Sequence, residues 1–391
     1  MGTTNQHTKI INVYHFNNGS GGGVLSVIRN LLLYQKPGAM RHHVIYTINN
    51  DVVKNFKLPC LTGAESEHVF YYSSRWNFYY TCKKAAELLP DYSAVIVAND
   101  WLELGVVSQM GLRNPVIQIL HGDYDYYYNL SVKHNEWINA FVTVANVMAF
   151  NLGKKMPDRV NDIHYLPFPV PDVKSKCFFK TNQPLQLIFV GRLTREKGYD
   201  LLPLIEKNLR EKNIEVKWHI VGEVTSLEKA IWNDGSKVQF YGHMSNVDAI
   251  GLMLNMDCLV LPSIAEGMPV TVVEAMKVGL VCIVNDLPGG MQELITDGLT
   301  GYRIKNNNTM LFADAIYQLN NDGFKLKEIG EKAKSVANKM FNPSTNVQGY
   351  EQLIVKCYST LNQQRKAVKV YGSRLDGRWI PNFVTKTIRS F

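Results

Sequence analysis

The sequence predicts an α/β protein of two domains, each built on a parallel sheet, and three observations point there. A chain of 391 residues exceeds what one hydrophobic core usually organises. Short apolar runs recur along it, and each ends in a polar or glycine cluster, as buried parallel strands do. The two halves meet at Pro167-Phe168-Pro169-Val170-Pro171, where neither helix nor strand is sustained. The expected division is therefore 1–170, 171–345 and a terminal segment 346–391. With 46% hydrophobic and 19% charged residues, the chain reads as folded and globular.

The first half opens on an apolar strand, Lys9 to Phe16, followed by the glycine loop Asn17 to Gly23 and an amphipathic helix from Val24 to about Tyr34. Strand, glycine loop and helix make a Rossmann-like start. The dinucleotide pattern G-x-G-x-x-G is not completed, because Val24 stands where a third glycine is needed, and a nicotinamide cofactor is disfavoured. A plain surface turn is the alternative reading of this glycine run. Further strands are expected at His43 to Tyr46, Ala94 to Ala98 and Val116 to Leu120, ending in Asn49-Asn50, Asn99-Asp100 and His121-Gly122. Ligands bind beyond such carboxyl ends. His121 is singled out there, against the alternative of a turn histidine bonded to backbone. Aromatic residues crowd this half: Phe70 to Tyr72, Trp76, Phe78 to Tyr80, Tyr124 and Tyr126 to Tyr128. Tyrosine offers a sugar an apolar face and a hydroxyl, so Tyr124 and Tyr126 are read as acceptor-binding. Packing under long loops is the other reading. Asp123 and Asp125 form a D-x-D pair, which is read as loop polarity and not as a metal site.

The second half starts with the strand Leu187 to Val190 and the loop Gly191 to Gly198, then a helix to about Asn213. Arg192 and Lys197 follow the strand end directly, within reach of a diphosphate, although a solvated charge pair is the plain alternative. Strands are expected at Val216 to Gly222, Val238 to Gly242 and Asp257 to Pro262. After the last comes Ala265-Glu266-Gly267-Met268-Pro269-Val270, where Pro269 suits the first position of a helix that stops before Gly279. Its free N–H groups and partial positive charge would hold a phosphate over Gly267, Met268, Pro269 and Val270. The run Val270 to Val273 is poor helix material, so burial must hold this helix.

These motifs resemble the retaining family-4 glycosyltransferases, the glycosyl transferases group 1, which have the GT-B architecture of two Rossmann-like domains facing each other across a cleft. The resemblance rests on Glu266 and Glu274 with their Glu-Gly-Met-Pro and Glu-Ala-Met frames, on Gly289-Gly290 with Glu293, on Gly298 to Gly301, and on Val190 to Gly198. It is strong over 185–305 and by layout alone over 1–170. It implies an acceptor-binding first domain, a donor domain, and a crossover helix near Asn346 to Leu361 whose tail returns to the first domain. The resemblance places Gly22 and Gly23 at the donor diphosphate, His121 beside the reacting sugar, and Gly242 and Met244 near the nucleotide base.

The implied reaction moves a hexose from a nucleotide sugar, UDP-linked by preference, to a saccharide, glycolipid or small-molecule acceptor. Arg192, Lys197 and the helix start would take the place of a metal on the leaving phosphate. Glu266 would bond the donor sugar and Glu274 the ribose, with the anomeric configuration retained. The catalytic set is thus Glu266, His121, Arg192 and Lys197, with no cofactor, no metal and no nucleic acid. Closure about Pro167 to Pro171 is expected to accompany donor binding. A hydrolysing nucleotide-sugar epimerase and a silent sugar-nucleotide binding protein are the rivals.

Six scattered cysteines without a Cys-x-x-Cys pair fit free thiols in a reducing cytoplasm. No signal peptide and no apolar stretch of spanning length is read. The formal charge of +8 is concentrated at the end, where residues 365–391 hold seven Lys and Arg against Asp376. That tail also carries Trp379, Ile380, Phe383, Val384, Ile388 and Phe391. Two readings stand: peripheral contact with an anionic membrane at its inner face, or packing of these apolar residues on the first domain.

Overall fold

The computed structural model describes residues 10–19, 22–38, 40–90, 93–173, 184–232, 235–360 and 366–390. Lys9, Ser20, Gly21, Cys177, Leu361, Arg365 and Phe391 of the reading above lie outside them. The chain divides into two compact units, one of Met1–Val144, Met148–Pro169 and Ser344–Phe391, the other of Ala145–Val147 and Val170–Pro343.

In the first unit the strands are β1 (Ile11–Asn17), β2 (Met40–Asn49), β3 (Ser66–Tyr72), β4 (Ala94–Ala98), β5 (Val116–Leu120), β6 (Ala140–Thr143) and β7 (Ile163–Tyr165). They form one parallel sheet in the order β3-β2-β1-β4-β5-β6-β7. β4 and β5 are buried along their whole length, which is why they read as continuous apolar runs. The helix Gly23–Tyr34 packs Leu25, Ile28 and Leu32 against Val44, Tyr46 and Ile48 of β2. The aromatic run Phe70 to Tyr72 belongs to the edge strand β3, with Phe70 buried and Tyr71 outside. Phe78 likewise packs inward, its ring 5.6 Å from that of Trp101. Phe70 and Phe78 thus take the packing reading, through alternation along a strand and helix packing.

The helix Pro343–Ser359 lies on the first unit, where Tyr350 donates to the Leu166 carbonyl at 3.0 Å and Asn346 to the Phe168 carbonyl at 3.3 Å. Two histidines are buried in this sheet, His15 on β1 and His42 on β2, with Nε2 of the first 2.8 Å from Nδ1 of the second.

The second unit holds β8 (Leu185–Val190), β9 (Val216–Val221), β10 (Val238–Gly242), β11 (Cys258–Leu261), β12 (Val281–Asn285) and β13 (Gly301–Ile304). Their order is β10-β9-β8-β11-β12-β13, again parallel. The chain's two sheets are thus α/β layers of the same winding, the GT-B architecture. The helix Val270–Val278 is held as its composition requires, with Val272, Val273, Ala275, Met276 and Val278 buried. Pro269 is its N-cap and not its first residue, since its ψ of 113° is extended. Lys277 on this helix has no exposed side-chain surface, and its Nζ donates to the Val170 carbonyl at 2.6 Å and to Asp172 Oδ1 at 2.8 Å. Burial lowers its pKa.

Candidate functional site

In each sheet the winding reverses beside the first strand, between β1 and β4 and between β8 and β11. At such a switch point the loops leaving the two strands diverge and open a crevice at their carboxyl ends. The glycine loop and Asn99-Asp100 leave the first pair. The Arg192–Lys197 loop and the Glu266 loop leave the second.

In the second unit Gly198 lets these two loops touch. Its φ of 71° is left-handed, and a Cβ there would stand 2.0 Å from the Pro262 carbonyl oxygen, so only glycine fits. The Ile264 amide donates to the Glu196 carbonyl at 2.9 Å, closing the contact. Lys197 Nζ then lies 2.7 Å from Glu266 Oε1, with 20% and 8% of the two side chains exposed. Ser263 Oγ donates to the same oxygen at 2.7 Å. Among the described residues nothing bonds Glu266 Oε2, and the Lys197 ammonium keeps two further protons to give. Arg192 is two-thirds exposed and meets Glu196 at 3.4 Å, the loose surface pair of the plain reading.

The helix Val270–Val278 begins beside Glu266 with no side chain capping its first turn. Gly267, Met268 and Pro269 are buried, so this segment can offer a ligand its backbone more readily than its side chains. Glu274 is buried, and its Oε1 accepts from Asn246 Nδ2 at 2.6 Å. Asn246 opens the helix Asn246–Met253, shortly after Gly242, which sits at φ 71°, and the half-buried Met244. Glu274 therefore ties the helix to the turn after β10.

The first unit's switch point brings together Asn99, His121 and Asp100. Asn99 Nδ2 donates to the Phe16 carbonyl at 2.8 Å, which turns Asn99 Oδ1 toward His121 Nε2, 2.7 Å away. His121 Nε2 is thereby the protonated nitrogen, and Nδ1 keeps its lone pair. Burial lowers the His121 pKa to about 4, so the ring is neutral near pH 7. Its partner is a side chain and not the backbone of the turn reading. Asp100 caps the helix Trp101–Met110, with Glu103 completing a capping box by accepting from the amides of Asn99 and Asp100, both at 2.6 Å. Burial first, and the Asp100 charge second, raise Glu103 to about 7.

Gly22 caps the helix Gly23–Tyr34 at φ 134°, with open space where a Cβ would stand and no side-chain cap. Tyr126 is half exposed, but its hydroxyl is bonded to Asp100 Oδ1. Tyr124 lies back on Gly122, where an added Cβ would meet its ring at 2.3 Å. Asp123 accepts from Tyr128, and Asp125 pairs with Lys155 at 3.6 Å. Both border an open pocket of about 370 Å³ with Asn151 and Lys154. Among the described residues no group of three His, Cys, Asp or Glu side chains is placed to hold a metal. Asn99, Ser263 and Asn246 carry this network and were not singled out from sequence; their position within four residues of a strand's carboxyl end was the signal.

Residues 174–336 match the glycosyl transferases group 1 family. The chain carries a glycosyl transferases group 1 domain. Among curated relatives it is 28% identical over 156 residues to an uncharacterized glycosyltransferase of Methanocaldococcus jannaschii, covering 39% of this chain and 43% of that one. It is 27% identical over 175 residues to a putative colanic acid biosynthesis glycosyltransferase, WcaL, of Escherichia coli, covering 41% and 42%. These matches span less than half the length of each relative. Among solved structures, Anabaena HepE in complex with UDP and glucose superposes with a TM-score of 0.69 at 17% identity, over 88% of this chain and 99% of that one. Staphylococcus aureus TarM, in complex with UDP among other ligands, superposes at 0.61 and 18% identity, over 71% and 58%.

Proposed function

We propose that the chain transfers a hexose from a UDP-sugar to a hydroxyl acceptor, with retention of anomeric configuration and without a metal ion. The observation that carries this is the Lys197–Glu266 pair at the second switch point, beside an uncapped helix start. The pair is held before any ligand arrives, which favours a charge-separated transition state over a diffuse binding surface. As the sugar leaves, negative charge grows on the diphosphate. The spare protons of Lys197, the exposed Arg192 guanidinium and the first amides of Val270–Val278 are suited to receive it. Glu266 Oε2 is suited to accept a donor-sugar hydroxyl, and His121 Nδ1 another. The acceptor hydroxyl attacks the anomeric carbon on the face the diphosphate leaves. The carbon–phosphate-oxygen bond breaks, and that oxygen takes the acceptor's proton. Gly22 and Gly23 are assigned to the diphosphate, Glu274 to the ribose, Gly242 and Met244 to the base, and Tyr124 and Tyr126 to a saccharide, glycolipid or small-molecule acceptor.

UDP is favoured by its presence in the HepE and TarM complexes, and by a relative named for transfer from UDP-Gal to a GlcNAc-diphosphoundecaprenol. Five described cysteines are free thiols, which favours a cytoplasmic setting. The test is release of nucleotide from a panel of UDP- and GDP-sugars, with and without acceptors. Acceptor-dependent UDP release supports transfer. Tight binding without release assigns a silent binding protein, and failure to bind any nucleotide sugar removes the proposal.

A further inference from the structure

The carboxyl-terminal segment is docked on the first unit by polar contacts, and of the apolar residues expected to pack there Ile380 and Val384 are half-buried while Trp379, Phe383 and Ile388 are exposed. Asn77 Nδ2 donates to the carbonyls of Leu375, Gly377 and Ile380 at 3.1, 3.1 and 2.8 Å. Asp376, with 2% of its side chain exposed, accepts from the Phe78 amide at 2.7 Å and from Arg389 at 2.7 Å. Arg389 also donates to the Trp76 carbonyl at 2.6 Å. Tyr371 fills an aromatic box with its ring 5.5 Å from Trp101 and its hydroxyl 2.8 Å from His134 Nε2. These contacts hold the segment in one conformation.

What it turns to water is unusual for a fixed segment. Trp379 is 82% exposed, Phe383 71% and Ile388 50%. Lys366, Lys369, Arg374, Arg378 and Lys386 are exposed as well, while Asp376, the one acid among residues 366–390, is buried and paired. The Arg378 guanidinium stands 4.3 Å over the Trp379 ring. The water-facing charge of this segment is therefore positive throughout, and the apolar side chains stand among it. No helix among the described residues is long and apolar enough to cross a membrane.

We propose that this segment is a docking surface for an anionic lipid bilayer. Trp379, Phe383 and Ile388 enter the boundary between headgroups and acyl chains, and the five exposed cations meet the headgroups. Charge decides the occupant. A bilayer supplies negative charge and an apolar layer together without a complementary shape, whereas a protein partner would have to match both. The inference does not depend on the transfer reaction, since its readout is binding.

Flotation of the full chain with vesicles tests it. With 7:3 phosphatidylcholine to phosphatidylglycerol at low salt the protein floats. With phosphatidylcholine alone it stays at the bottom, and raising NaCl from 50 to 500 mM weakens flotation about tenfold or more. Trp379→Ser with Phe383→Ser lowers partitioning about tenfold or more and leaves the melting temperature unchanged, because both side chains face solvent. Arg378→Glu with Lys386→Glu removes the preference for anionic lipid. Wild-type protein that stays down with anionic vesicles overturns the proposal and leaves the face to a protein partner. Equal flotation of the wild type and both variants overturns it too.

Discussion

The two switch points share one winding and differ in what they hold. The β8/β11 crevice presents a cation, a carboxylate and a helix start, while the β1/β4 crevice presents an amide, a neutral imidazole and the Asp100 carboxylate, which accepts from the Tyr126 hydroxyl. Equal strand order therefore does not set equal chemistry. The loop lengths and residue types after the strands do. A crevice with a cation and a helix start is suited to a leaving diphosphate, and one with a carboxylate, an amide and an imidazole to hydroxyl groups that need orientation.

If that division holds, substitutions should cost more in the second unit. Glu266→Ala should lower kcat about a hundredfold, because it removes a positioned acceptor and leaves Lys197 without its partner. Steady-state rates with saturating donor check it, and wild-type turnover would end the division of labour. Lys197→Ala should come next, with a donor KM raised about tenfold or more, while chelation with EDTA leaves the rate unchanged. Loss on chelation that Mg²⁺ restores would move the charge to Asp123 and Asp125.

Asn99→Ala should act more gently, lowering kcat/KM about tenfold, since His121 stays in place and loses only its orienting bond. The signature is a change in the His121 ring-nitrogen shifts from one tautomer to a mixture. A variant with normal shifts and low activity would make Asn99 a folding residue instead.

The two units should also differ in acid stability. Burial holds His42 and His134 at about 4, below the ordinary 6.5, and lowers His15 well below 6.5. Each is neutral in the fold and takes a proton on unfolding, so its stabilisation is complete above about pH 6.5 and is lost as the pH falls toward 4. His42 and His134 each cost about 2 kcal/mol by pH 5. The second unit has His219 in this state, with both ring nitrogens bonded. Hydrogen exchange at pH 7 and pH 5, corrected for intrinsic rates, should show the first unit loosening before the second. Simultaneous loosening would show that the histidines do not set the order.

The strands that line both crevices were legible because buried parallel strands leave largely apolar runs of four to seven residues. β3 was not, since Ser66-Glu67-His68 opens it with polar residues at an edge. The residues after the strands were legible as types and not as partners. Lys197 and Glu266 lie 69 positions apart, and their contact exists only because β8 lies beside β11 and Gly198 admits the Pro262 carbonyl. Asn99 and His121 meet for the same kind of reason, through the pairing of β4 with β5. Spacing along a chain carries no record of such pairings until the strand order is known. The tail's polar anchoring was hidden likewise, because Asn77 and Asp376 are ordinary residues until they are neighbours.

The buried Lys277 makes the second unit its own reporter. An amine-reactive reagent modifies exposed lysines within its first contact with the protein, but the Lys277 ammonium is enclosed and bonded to Val170 and Asp172. Its labelling must wait for the helix Val270–Val278 to part from the segment at 170–172. Peptide mass spectrometry of timed labelling would read that opening in the native chain, at one natural amine, without an introduced probe.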